Sequence, residues 1–536
     1  EILRCLVGSE MCIRDSDILK VSRNSPYGGE FQKIYRILSK QEDVIKMDNR
    51  FAITNYHDAA AVTKQLDELI KKPIYSIKPD ALAKYEKEYY DVKCAKSKVM
   101  IEEARQVIPG GVQHNLAFNY PFPLVFTKAL GAKLYDIDGN EYYDFLQAGG
   151  PTVLGSNDPV VREKVIELLN DCGPSTGLFH EYEYKLAKKI VDSFESVDMF
   201  RMLGSGTEAC MAAARVARLA TKKKYILKMG GAYHGWSDQL AYGIRVPGTK
   251  FTQAHGVPLY IFKDTQEFFP NDLNDLERKL KLNQFRGGTA AVFIEPVGPE
   301  SGTRPLDKDF NKNVEKLCRK YGALLVFDEV VTGFRIGMAG AQGYFGVSPD
   351  LTVFGKVIAG GYPGAGGLGG KREYMKFLGA GLQGSKTKKA LVGGTMAANP
   401  LSCVAGYYTL EEIEKRNACQ VAGKMGDRLT EGLQQLIKKH GLPFVAFNQG
   451  SICHLETVGT MHFSINWKKP WNIPSILSAT NERKKEMEHM GAAYMAEGLV
   501  TLAGSRLYTS AAYNEEMIDD ALSRFDKVFE NVAIKE

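Results

Sequence analysis

Short apolar runs recur through the middle of the chain, separated by stretches whose apolar residues return at helical intervals. The runs are KYILKM at 224–229, AAVFIE at 290–295, ALLVFD at 323–328 and LTVF at 351–354, and 311–321 is one of the helical spacers. This alternation predicts an α/β fold with a mainly parallel sheet between layers of helices. In such sheets ligands bind beyond the carboxyl ends of the strands, so the residues that follow each run are the candidates for chemistry. Upstream the pattern differs. KLYDIDGNEYYDF at 133–145 predicts a hairpin turning on Asp138-Gly139. Residues 1–95 are polar and rich in tyrosine and lysine, with helical pieces such as 58–71 and no evident chemistry. Within them, 1–16 has neither an amphipathic period nor a basic stretch ahead of an apolar one. No signal peptide is expected there, and the stretch stands as a candidate non-native segment.

Composition narrows the class. With 44% apolar and 25% charged residues the 536-residue chain has the balance of a globular protein, not of a fibrous or disordered one. The net charge of +6 is small, and lysine clusters at 222–224, 386–389 and 484–485 are scattered, so solvated faces account for them and no nucleic-acid groove is expected. No apolar run reaches the ~18 residues of a membrane span. Nine cysteines without a CxxC pair argue for reduced thiols in a cytoplasmic protein and against a structural metal. Glycine, at 53 residues, is in excess, and eight of the sixteen residues from Gly355 to Gly370 are glycine.

Four features follow apolar runs or open helices. Gly204-Ser205-Gly206-Thr207-Glu208-Ala209 precedes a helical run, an arrangement that offers backbone amides and a positive dipole end to a phosphate. It satisfies the dinucleotide pattern G-x-G-x-x-G/A, but the next strand leads into MGGAYHG, with no acid to hold a ribose. Tyr233-His234 could face a planar ligand or simply be packed. Asp328-Glu329 closes the buried run ALLVF as a Walker B strand would, yet Asp350 and Ala365 stand where a P-loop before Lys356 or Lys371 needs glycine. Lys356 follows LTVFG and opens the glycine-rich stretch, which reads as a turn; partial burial there lowers an amine's pKa toward nucleophilic use. A lysine, a carboxylate, a phosphate cup and a flat wall together suit pyridoxal 5'-phosphate (PLP), which needs a Schiff-base lysine and an acid on its ring nitrogen.

GSGTEA, YHG, IEPV, LLVFDEVVTGFR, PDLTVFGK and GGTMAANP stand in the order and approximate spacing of the class III aminotransferases, PLP enzymes of fold type I. With PGGV at 109–112, the chain most resembles the glutamate-1-semialdehyde aminomutase-like branch, from about Lys96 onward. The resemblance implies an extension at 1–95, a small domain from 96–160 and 406–536, and a large PLP domain with a seven-stranded-type sheet at 161–405. It implies that Lys356 carries the Schiff base, Asp328 pairs with the ring nitrogen, Val330 packs behind the ring and Tyr233 in front. Ser205, Gly206 and Thr207 would hold the phosphate, and Glu300 would lie near the phenolic oxygen. His234 would stand nearby with no assigned role. Thr395 would reach the phosphate of a neighbouring subunit in a homodimer.

Three departures bear on activity, one being that the stretch after Tyr242, GIRVPGTKFTQAHGVP, differs from the branch's gating loop. The branch's substrate-binding arginine after PGGV is replaced by Ala117, and LAGSRLYTSAAY offers Arg506 where an acid is expected. The expectation is therefore an intermolecular transaminase, moving an amino group from an amine or amino acid to a carbonyl acceptor, with Arg506 or Arg245 anchoring a carboxylate. An intramolecular aminomutase ranks second. A PLP-binding regulatory protein without catalysis is the alternative outside enzymes.

Overall fold

Seven short strands form the central sheet of the computed structural model, which describes residues 50–379, 388–465, 467, 469–502 and 504–535. The segment 1–16 and Lys386 lie outside the described residues. The strands are β1 (Met199–Leu203), β2 (Tyr225–Met229), β3 (Thr265–Phe268), β4 (Thr289–Ile294), β5 (Leu324–Asp328), β6 (Leu351–Gly355) and β7 (Gly366–Gly370). Their order across the sheet is β1-β7-β6-β5-β4-β2-β3. From β6 to β3 neighbours are parallel, with Val353 opposite Asp328 and Ile294 opposite Phe327. Only β7 runs antiparallel, to both β6 and β1, so the sheet is mixed.

Burial on both faces explains the unbroken apolar runs. One face sets Leu227, Val292, Leu325 and Phe327 against Leu276, Val314 and Cys318. The other sets Ile226, Ala291, Val326 and Val353 against helix α1 (Gly206–Thr221), whose small residues Ala209, Ala213 and Ala217 let it lie close to the strands.

The glycine-rich stretch is not only a turn. Its second half, GGLGG, is the buried strand β7, and glycine is required there because both flanks are occupied. A side chain at Gly366 would enter the backbone of Ser205, one at Gly367 the ring of Phe200, and one at Gly370 would stand 2.6 Å from the carbonyl of Asp350.

Segments from both sides of the central sheet's sequence interleave in smaller sheets. The predicted hairpin forms as Lys133–Asp136 and Glu141–Asp144, and Leu499–Val500 adds to it in parallel. Val445–Gln449, Ile452–Glu456 and Arg506–Tyr508 make a three-stranded sheet, and Tyr75–Ile77 pairs with Val532–Ile534. Helix Ala59–Lys71, capped by Asp58, buries Val62, Leu66 and Leu69 against Val445 and Phe447. Among the described residues no helix is long and apolar enough to cross a membrane.

Candidate active site

The carboxyl ends of β5 and β6 and the start of α1 bring the predicted residues together. Lys356 follows β6 directly, in the left-handed region at φ 48°, a conformation non-glycine residues rarely hold outside constrained sites. Its side chain lies against Gly149 and Gly150; a Cβ on Gly149 would stand 3.5 Å from Nζ. Burial, helped by the positive charges of Arg506 and Arg335, pushes its amine down to about 8, against the opposing pull of Asp328 and Glu300. Arg335, itself fully buried, donates to the carbonyls of Gly150 and Thr509 and to Ser451 Oγ, and so fixes the wall opposite the lysine.

Asp328 is buried at the end of β5. It lies 2.7 Å from His234 Nδ1, accepts from Val330 N–H at 3.1 Å, and has the Cys210 thiol 3.6 Å away. Burial lowers the His234 pKa despite the acid beside it, so the ring is neutral, and donation from Nδ1–H leaves a buried Nε2 without a partner. Cys210, His234 and Asp328 are the one grouping of potential metal ligands among the described residues. Burial holds the thiol protonated and the histidine–aspartate bond occupies the rest.

Ser205 caps α1, accepting from Glu208 N–H at 3.3 Å, while Glu208 reaches back to Gly204 N–H at 2.8 Å. The amides of Gly206 and Thr207, in the first turn, have no intrahelical acceptor and suit an anion. Val330 fills the space between this turn and Lys356: a Cβ on Gly206 or Gly355 would each lie 2.9 Å from it. Tyr233 remains 46% exposed. A depressed amine, a buried carboxylate, open amides at a helix start and an exposed aromatic form a donor set that fits PLP.

Glu295, at the end of β4, is a site residue that the sequence reading missed. It accepts from Tyr233 N–H at 2.9 Å, Glu300 N–H at 3.1 Å and Ser301 N–H at 2.7 Å. Burial, with Asp328 and Glu300 near, pushes it up to about 8. The rule that singles out Asp328, an acid closing an apolar strand, would have found it. Glu300 and Ser301 are both left-handed, and Glu300 bridges Arg506 at 3.1 Å. Arg506 is thus paired with an acid of the site. Arg245 is exposed, with its charge felt at Tyr233, and Thr395 is exposed on the segment whose Gly394 lies near Glu208.

This geometry would serve any PLP enzyme of the fold, and family membership separates them. The family model for class III aminotransferases matches residues 116–528. The chain belongs to that family. PLP is accordingly the cofactor of this class III protein. It is 36% identical over 452 residues to glutamate-1-semialdehyde 2,1-aminomutase 2 of Shouchella clausii, an alignment covering 82% of this chain and 99% of the relative. Among solved structures, an omega-transaminase from Sphaerobacter thermophilus superposes with a TM-score of 0.71 at 27% identity, covering 82% of this chain and 99% of that one. A transaminase with PLP bound gives 0.70 at 25% identity, covering 82% and 97%. The class III fold is therefore the fold-type I arrangement expected from the motifs.

Proposed function

We propose that the protein shifts an amino group within one small carboxylate-bearing amino aldehyde, as glutamate-1-semialdehyde 2,1-aminomutases do. The observation that carries this reading is the identity to such an enzyme along 99% of its length. It reverses the order expected from Ala117 and Arg506: two altered positions weigh less than 36% identity over 452 residues.

When bound, PLP supplies the electron sink that lets a proton leave the carbon carrying nitrogen. The chain's own residues do the rest. Lys356 Nζ, held near 8, is the amine that meets the cofactor and later holds the proton moved between substrate carbons. Asp328, braced by His234, faces the ring nitrogen. Val330 and Tyr233 cover the two ring faces, the first turn of α1 at Ser205, Gly206 and Thr207 receives the phosphate, and Glu300 stands toward the phenolic side. Arg506 takes the substrate carboxylate once its bridge to Glu300 opens, and Arg245 is the alternative anchor. Leu391 and Met396, 84% and 55% exposed, flank the segment of Thr395 and support a homodimer in which that threonine serves the neighbouring site. The seven cysteines among the described residues are all unpaired, which suits a reducing, cytoplasmic setting.

Transfer between two molecules is a second reading, favoured by the uncharged Ala117 and by an arginine already paired with Glu300. The test is turnover of glutamate-1-semialdehyde as sole substrate by the cofactor-loaded protein. Formation of 5-aminolevulinate without a second carbonyl compound is expected. Product that appears only when a keto acid or aldehyde is added would overturn the mutase reading in favour of the transaminase. If Arg506→Ala and Arg245→Ala both left the apparent affinity for the substrate unchanged, neither arginine would be the anchor.

A further inference from the structure

Two buried ionisable groups grip opposite ends of one peptide unit in the wall of the site. Lys228, on β2, is fully buried, and its Nζ donates to the carbonyls of Ala232 at 2.8 Å, Leu240 at 3.3 Å and Tyr242 at 2.6 Å. The Ala232 carbonyl belongs to the Ala232–Tyr233 peptide. The N–H of that same peptide donates to Glu295 Oε1 at 2.9 Å. Among the described residues neither group makes an ion pair with a side chain. A lysine that gives its donors to three carbonyls and a glutamate that takes three amides contribute little as a pair, but together they define backbone. The remaining acceptor capacity of Glu295 goes to Glu300 and Ser301, two successive left-handed residues, the first of which bridges Arg506.

We propose that Lys228 and Glu295 are positioning residues that clamp the Ala232–Tyr233 peptide. Through Glu295 the clamp also ties the aromatic wall to the Glu300–Arg506 pair, so that cofactor face and carboxylate anchor keep one spacing. This rests on the reading of Tyr233 as the ring-facing wall. The Glu295 carboxyl joins the two parts directly, accepting from Tyr233 N–H and from Glu300 N–H.

The test uses the full chain and PLP alone. Lys228→Met, Glu295→Met and the double variant are prepared in the native background and with Tyr233→Ala. PLP affinity and the visible band of the bound cofactor are measured for each, with thermal unfolding of the apo form as control. Each single change is expected to weaken PLP by about 10-fold and to shift the band, since a buried hydrogen bond to the clamped peptide is lost. The double variant should be no more than about threefold worse than the weaker-binding single, because both changes release the same peptide. With Tyr233→Ala present, either change should matter by less than about threefold. The proposal is overturned if the two effects multiply in full, if either persists undiminished with Tyr233→Ala, or if affinity and band stay within about twofold of the native protein while the apo form merely melts earlier. Should a methionine variant not fold, Glu295→Gln, which keeps one of the two acceptor oxygens, carries the same comparison. Lys356→Ala is run alongside. If its visible band matches that of the native protein, the reading of the site itself fails, whatever the clamp variants show.

Discussion

Replacing Arg506 with leucine and Glu300 with glutamine should move the titration of Lys356 in opposite directions. Its amine sits at about 8 rather than the ordinary 10.5, chiefly through burial and then through Arg506. At pH 7 an amine at 8 is ~10% neutral, roughly 300 times the neutral fraction of one at 10.5. Arg506 disfavours the ammonium and Glu300 favours it, and the two are bridged at 3.1 Å. A single charge at such a site, in an effective dielectric of about 20, contributes on the order of 1–3 kcal/mol, or about tenfold and more in the neutral fraction. Arg506→Leu removes a positive charge, so the midpoint rises by about one pH unit; Glu300→Gln removes a negative one, so it falls by a similar amount. Capture of added PLP by the apo protein, followed by stopped-flow absorbance across pH, reads this directly, because only the neutral amine reacts. The rate should rise through a midpoint near 8 in the native protein. A native midpoint near 10, or variants that shift in the same direction, would refute the account of the site's electrostatics.

Other substitutions test other parts of the structure. Gly366→Ala places a methyl in the backbone of Ser205; we expect a loss of about 2 kcal/mol or more in urea unfolding, together with weaker PLP binding because the start of α1 is displaced. His234→Leu removes the bond to Asp328 and should weaken PLP by about 10-fold at unchanged Lys356, measured by dialysis equilibrium; unchanged affinity would make His234 a packing residue. Glu295 stands near 8 when folded against an ordinary 4.5, so the folded state binds more protons between those values and this group's contribution to stability falls as pH rises. Glu295→Gln should therefore flatten the decline of apo-protein melting temperature between about pH 6 and 8; a parallel decline in both proteins would contradict it.

What the sequence made legible follows from how each feature is encoded. The parallel strands β2, β4, β5 and β6 are buried on both faces, so their apolar runs stand out, and with them Asp328 and Lys356 at their ends. Strand β7 has no such run, because its environment selects the absence of side chains, and GGLGG resembles a turn until Ser205, Phe200 and Asp350 are placed around it. Glu295 closes its apolar run as Asp328 does, so its position was legible; its role was not, because its partners are backbone amides 62, 5 and 6 residues away. The pairing of Arg506 with Glu300 spans 206 residues and depends on strand Arg506–Tyr508 joining Ile452–Glu456, a register no local period announces.

The interleaving of Leu499–Val500 with Glu141–Asp144 also constrains how the protein is made. A ribosome delivers Gly149 and Gly150 early, Lys356 midway and Arg506 late, yet all three meet around one amine. Contacts of such long sequence separation form late and slowly. The nascent large sheet can assemble its strands while the wall opposite Lys356 still waits for the strand at 506–508. A newly made chain would thus present Lys356 before burial and Arg506 can depress its amine, so the reactivity of the site arrives only with its last strand.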